Sequence, residues 1–296
     1  MTRPSKDFRS KRIKLTREDF ALSEGVESLP KDPVPEETWK GITSLTDDVS
    51  LRTSDCFGGS LKKTYDLWGE WICLVLELQN QAGAPQESPI VHAAGDTVDY
   101  FQASLHNVLV GYYRLAFVSL RAAVENMLVG LHLELAGDTN TYLGWLSGNE
   151  LHFGWAADCV VNHARVKQLE QDLQAAVGTD LFHPRNPVAG DEGGLLRQFF
   201  RALSRYAHGA PNHNDGDFWQ SNGPVFVNDA FEKWTDAFLF TFAVSVLEAR
   251  LARPNLRTLT HARSANAKKL FETAVEQIAR TGDSRLLLEA VPANIW

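Results

Sequence analysis

Residues 195–209, "LLRQFFRALSRYAHG", set three arginines and a histidine into an apolar helical repeat. At about 100° per residue, Arg197, Arg201, Ser204 and His208 gather on one helix face, with Arg205 about 80° round from Arg197. The opposite side carries Leu196, Phe199, Phe200, Leu203 and Ala207, a spacing that wants a core. Arginine offers a planar fork of donors matched to phosphate oxygens, and histidine exchanges a proton near neutral pH. Arg201 and His208 stand two helical turns apart, so both can address one phosphodiester. The helix dipole favours the imidazolium in the last turn, which is the form a general acid needs. The competing reading is a basic stripe facing solvent.

A second cluster lies in residues 111–130, "GYYRLAFVSLRAAVENMLVG". Steps of seven and four put Arg114, Arg121 and Glu125 on one face, amid Leu115, Ala116, Leu120, Ala123, Val124 and Met127. Charges in such company need partners. Arg121 and Glu125 at i, i+4 suit an ion pair that locks a bundle. Alternatively, these groups line the same polar seam as Arg201 and His208.

Positioning such side chains falls to helices, which the periodicity predicts over 61–79, 97–136 with a break near Gly111, 156–177, 195–208, 230–253 and 264–280. Strand signals are thin. In 218–227, "FWQSNGPVFV", aromatic and β-branched residues flank an Asn-Gly-Pro turn. Pro211, Gly216 and that turn keep the chain out of a helix between Gly209 and about Ala230. This stretch leaves from the end where His208 sits, so it is expected to rim the site and to bring Asn222 near it as a neutral hydrogen-bonding group. The fold class is mostly α, a helical bundle with an N-terminal extension.

A chain of 296 residues, 44% hydrophobic and 22% charged, can bury a substantial core. The net charge of −8 argues against coating nucleic acid through the overall field, so any such contact is local. Residues 1–17 hold seven Lys/Arg against Asp7, whereas 18–55 hold ten acidic residues against three basic ones. That charge reversal, with "LPKDPVPEE", marks 1–45 as an arm. A helical extension over 46–90, a bundle over 91–253 and a C-terminal helix and tail over 254–296 complete the expected organisation. No stretch approaches the roughly 20 uncharged apolar residues of a membrane span. The three cysteines are scattered, as in a reducing cytoplasm. None of the nine histidines sits in a metal-binding spacing, so neither metal nor cofactor is expected. "GDEGG" at 190–194 reads as a helix start, because its carboxylates would repel a phosphate.

The long "GYYR" helix, the later Arg201-"ALSRYA"-His208 segment and the downstream "FWQSNGPVF" resemble the HEPN superfamily over residues 100–251. In that superfamily an arginine and a histidine are separated by four to six residues. The resemblance implies an antiparallel helix pair within a four- to five-helix bundle. It also implies a homodimer or larger assembly that forms a composite cleft and cuts RNA without a metal. Arg201 and His208 would be catalytic there, and Arg197, Ser204, Arg205, Arg114, Arg121 and Asn222 would bind substrate. It further implies a setting in phage defence or a toxin-antitoxin pair, with an antitoxin or another defence protein as partner. Ala202 stands where many active members carry a polar residue. A non-catalytic module for interaction or nucleotide sensing therefore stays open beside the nuclease.

Overall fold

Two indoles stitch the first two helices together. Trp68 and Trp71, on α1 (Glu36–Ala82), donate their ring N–H groups to the carbonyls of Val98 and Ala94 on α2 (Pro89–Leu109), both at 3.1 Å. Six further helices follow: α3 (Tyr113–Ala136), α4 (Thr139–Leu146), α5 (Phe153–Val160), α6 (Ala164–Val177), α7 (Leu195–Ala207) and α8 (Asn228–Ala252). The structure is a computed structural model that describes residues 34–84, 87–177, 180–184, 193–207 and 223–256. These residues contain helices and no strand, so the mostly-α bundle is observed. The expected helix at 264–280 lies outside the described residues, as do most of residues 1–45 and of the C-terminal tail.

The centre of the bundle is α3. Ala116, Leu120, Ala123, Met127 and Leu131 are all fully buried there. It packs against α2, α5, α7 and α8. The helices come close at Gly130, where an added Cβ would lie 2.4 Å from the Ala93 Cβ of α2. A buried hydrogen-bond chain ties a third helix in: Trp234 of α8 donates to the Ser104 hydroxyl at 2.9 Å, and Ser104 donates to the Ala116 carbonyl at 3.0 Å. Among the described residues α3 is also the one helix long and apolar enough to cross a membrane, and more than half of it is buried inside the protein.

The break expected near Gly111 separates α2 from α3. Gly111 has φ of 80°, a conformation that glycine adopts without strain. Its missing side chain makes room for the chain returning toward α8: Val225 N–H donates to the Gly111 carbonyl at 3.3 Å, and a Cβ would lie 2.4 Å from the Val225 oxygen. The return segment, 223–227, is therefore anchored beside the start of α3, without strand pairing.

Three elements differ from the periodicity reading. Helix α1 begins at Glu36, well before residue 61, and passes through residue 45, where an arm was expected to end. Its first turns expose Trp39, Ile42 and Leu45, so no buried stripe announces them. Burial begins at Val49 and Thr53, before a kink at Phe57 that lies next to Gly58 and Gly59. The single helix expected over 156–177 is two, α5 and α6, with Val161, Asn162 and His163 between them. Here the His163 ring contacts the Leu135 carbonyl at 2.7 Å and ties the corner to the end of α3. Short α4, unexpected from periodicity, starts at Asp138, whose carboxylate accepts the N–H groups of Asn140 and Thr141, both at 3.1 Å.

Candidate functional site

Helices α3 and α7 run antiparallel, and their facing polar residues interlock. At one end, Arg114 Nε donates to the Tyr206 carbonyl at 2.7 Å and its terminal nitrogen to the Ala207 carbonyl at 3.5 Å. These are among the carbonyls that a helix C-terminus leaves without intrahelical partners. Phe117 holds the same turn from one side, its ring stacked on Tyr206 with centroids 4.2 Å apart. Arg114 thus fixes the residue from which the chain continues to His208.

Two turns along α3, Arg121 Nε donates to the Ser204 hydroxyl at 3.0 Å. Ser204 in turn donates to the Phe200 carbonyl at 2.8 Å. The Arg121 guanidinium lies over the Phe200 ring, 4.6 Å from its centroid, and pairs with Glu125 at 3.3 Å. Glu125 uses its other oxygen to accept the Phe153 N–H at the start of α5, at 3.2 Å. Phe153 and Phe200 stack face to face with centroids 3.8 Å apart. The ion-pair reading of the second cluster is observed, and the cluster faces α7; His208, the other end of the expected seam, lies outside the described residues.

Farther along α7, Arg197 forms an ion pair with Asp158 of α5; the arginine side chain is only 11% exposed. The basic face of α7 is thus not a solvated stripe at Arg197 or Ser204, since both meet polar groups of α3 and α5. Arg201 lies half-buried between these contacts, and Arg205 is exposed. His208 and Asn222 lie outside the described residues. The two described ends that flank 208–222 share one corner of the molecule. Ala207 is held by Arg114, and Gly223 packs so closely on Tyr112 that a Cβ would come within 2.5 Å of its ring.

Beside Arg121 opens a cleft of about 440 Å³. Tyr100 and Asn126 contribute from α2 and α3, Arg121 and Glu125 from the seam, and Trp145, Asn149, Glu150 and His152 from the end of α4 and the turn after it. Asn126 is fixed by donating to the Ala93 carbonyl at 3.0 Å and to the Asp96 carboxylate. Burial pushes the Asp96 carboxyl up, opposed in part by His92 and by that hydrogen bond. Burial, then the charges of Asp96, Glu125 and Asp99, raises the Tyr100 phenol, so it stays protonated and can donate.

Sequence reasoning placed Arg121 and Glu125 but not this cleft. Its lining comes from α2, α3 and the 145–152 stretch, and no local spacing links them. Asp138 before "TNTY" was the available signal, because a capping aspartate there announces the helix that carries Trp145. Among the described residues no group of three or more His, Cys, Asp or Glu side chains is close enough together to hold a metal ion. Comparison with protein-family models, with characterised proteins and with solved structures finds no match for the chain.

Proposed function

We propose that this protein is a metal-independent endoribonuclease of HEPN type, with its site along the α3/α7 seam. One observation carries the reading. The basic face of α7 is packed and oriented by α3, with Arg114 capping the helix end just before His208 and Arg121 gripping Ser204 one turn earlier. A face that was only solvated would need no such support.

RNA brings its own nucleophile. The 2′-oxygen attacks the adjacent phosphorus, the P–O5′ bond breaks, and the products are a 2′,3′-cyclic phosphate and a 5′-hydroxyl. Arg201 stabilises the added charge on the phosphoryl oxygens, and His208 supplies the proton that the 5′-oxygen takes as it leaves. The proton of the 2′-OH goes to a base, and a second His208 in a homodimer is the simplest source. RNA is the substrate, and a defence or toxin-antitoxin setting is part of the proposal.

The test is incubation of purified protein with RNA in EDTA, comparing wild type with Arg201→Ala and His208→Ala. Cutting by wild type alone supports the site, whereas undiminished cutting by both variants overturns it. A monomer in light scattering, with and without RNA, removes the composite cleft. A non-catalytic interaction module is the second reading. It is favoured by Arg114, Arg121 and Arg197 each being held by protein groups, which leaves less positive charge for a phosphate.

A further inference from the structure

The cleft beside Arg121 has the wrong chemistry for a phosphate and the right chemistry for a base. Glu125 and Glu150 line it, and Asp96 stands behind Asn126. Arg121, the one arginine in the lining, is already engaged by Glu125, Ser204 and Phe200, so little positive charge is left to offset an incoming anion. A compact cation fares little better, because Arg121 repels it while neutralising Glu125. A neutral, flat ligand with donors and acceptors along one edge remains.

The polar groups specify that edge. A carboxylate is acceptor-only, with up to four lone-pair sites, so Glu125 can take further donors beyond Arg121 and Phe153. Asn126 has committed its amide N–H groups to Ala93 and Asp96, which leaves its carbonyl oxygen as an acceptor. These acceptors stand beside donors from Arg121, Asn149, His152 and the protonated Tyr100. Tyr100 and Trp145 add aromatic surface, which stacks on a base of any identity. Among RNA bases, guanine sets two adjacent donors, N1–H and N2–H₂, beside the acceptors O6 and N7. A carboxylate accepts the first pair and a guanidinium serves the second.

We propose that this cleft is a guanine-binding subsite, with Glu125 and Glu150 accepting from N1–H and N2–H₂ and Arg121 donating toward O6 and N7. The proposal rests on the reading of the neighbouring seam as an RNA site, and it makes the protein select guanine in the strand it cuts.

The experiment is calorimetric titration of the full-length wild-type protein with GMP, AMP, CMP, inorganic phosphate and spermidine, beside the RNA-cutting assay in EDTA. GMP is expected to bind about tenfold or more tighter than AMP or CMP, with no binding of phosphate alone. Glu125→Gln keeps an oxygen for the Phe153 N–H, and Glu150→Gln changes an exposed side chain. Each is expected to weaken GMP binding by about tenfold, with an unchanged melting curve for Glu150→Gln, whereas Glu125→Gln also breaks the ion pair with Arg121 and is expected to lower the melting temperature. Equal binding of AMP and GMP, displacement of GMP by spermidine, or unaltered GMP binding in Glu150→Gln overturns the subsite. Loss of guanine preference while RNA is still cut in EDTA removes the subsite alone. Selective GMP binding without RNA cutting removes the nuclease reading alone.

Discussion

At the residue scale, the site is defined by what its arginines already hold. Arg114 serves two carbonyls through two different nitrogens, a task suited to a rigid fork and not to a point charge. Arg114→Ala is expected to cost about 1.5–3 kcal/mol in urea unfolding, the scale of hydrogen bonds to a charged group, and Arg114→Lys to recover only part of it. Equal stability of the lysine variant and wild type would show that charge alone suffices. Glu248 is the opposite case, fully buried with both oxygens lacking a partner among the described residues. Burial pushes its carboxyl well above the ordinary value of 4.5. Its folded pKa exceeds its unfolded one, so the native state binds the extra proton, and stability falls as pH rises from 4.5 through the raised value. Glu248→Gln keeps the shape and removes the charge. It is expected to raise the melting temperature at pH 8 and to leave it nearly unchanged at pH 4; a gain of equal size at both pH values would refute the titration.

At the element scale, the fold depends on how near α3 can approach its neighbours. Gly130 admits Ala93 of α2 at a distance that no side chain would allow, on the helix at the centre of the bundle. Gly130→Val must push the two helices apart and is expected to destabilise by about 1–3 kcal/mol or more despite its greater apolar area. A denaturation midpoint at or above wild type would mean that the crossing is loose. Helices of this kind were readable beforehand, because burial on one face leaves a 3.6-residue period. The break at Gly111 was readable from the glycine, and the shared face of Arg114, Arg121 and Glu125 from spacing alone. The division at Asn162–His163 was not, since nothing in the local pattern reports that His163 is drawn to the Leu135 carbonyl. The cleft escaped for the same reason: Tyr100, Arg121 and Glu150 meet only through tertiary packing. Arg197 looked like a ligand for phosphate on its helix, and only the packing of α5 supplies Asp158 as its partner.

At the scale of the whole molecule, α1 has two characters. From Val49 onward it is buried on one face, and beyond the kink at Phe57 Leu67, Trp71 and Leu78 are all but fully buried and Trp71 packs edge-on against Phe101 and Phe242. In its first turns, Trp39, Ile42 and Leu45 are 59%, 65% and 60% exposed. Hydrophobic residues left in water contribute little to folding free energy, whereas a buried indole contributes through area, dispersion and its hydrogen bond to Ala94. Replacing Trp39, Ile42 and Leu45 together by Gln is therefore expected to shift the unfolding free energy by no more than about 0.5 kcal/mol per site, the range of surface substitutions. Trp71→Ala alone is expected to cost about 3–5 kcal/mol. Both are measured by urea unfolding followed by far-ultraviolet circular dichroism at a fixed low protein concentration. A large loss in the triple variant would place the first turns of α1 inside a folded interface and would move the boundary of the cooperative core from Val49 back to Glu36.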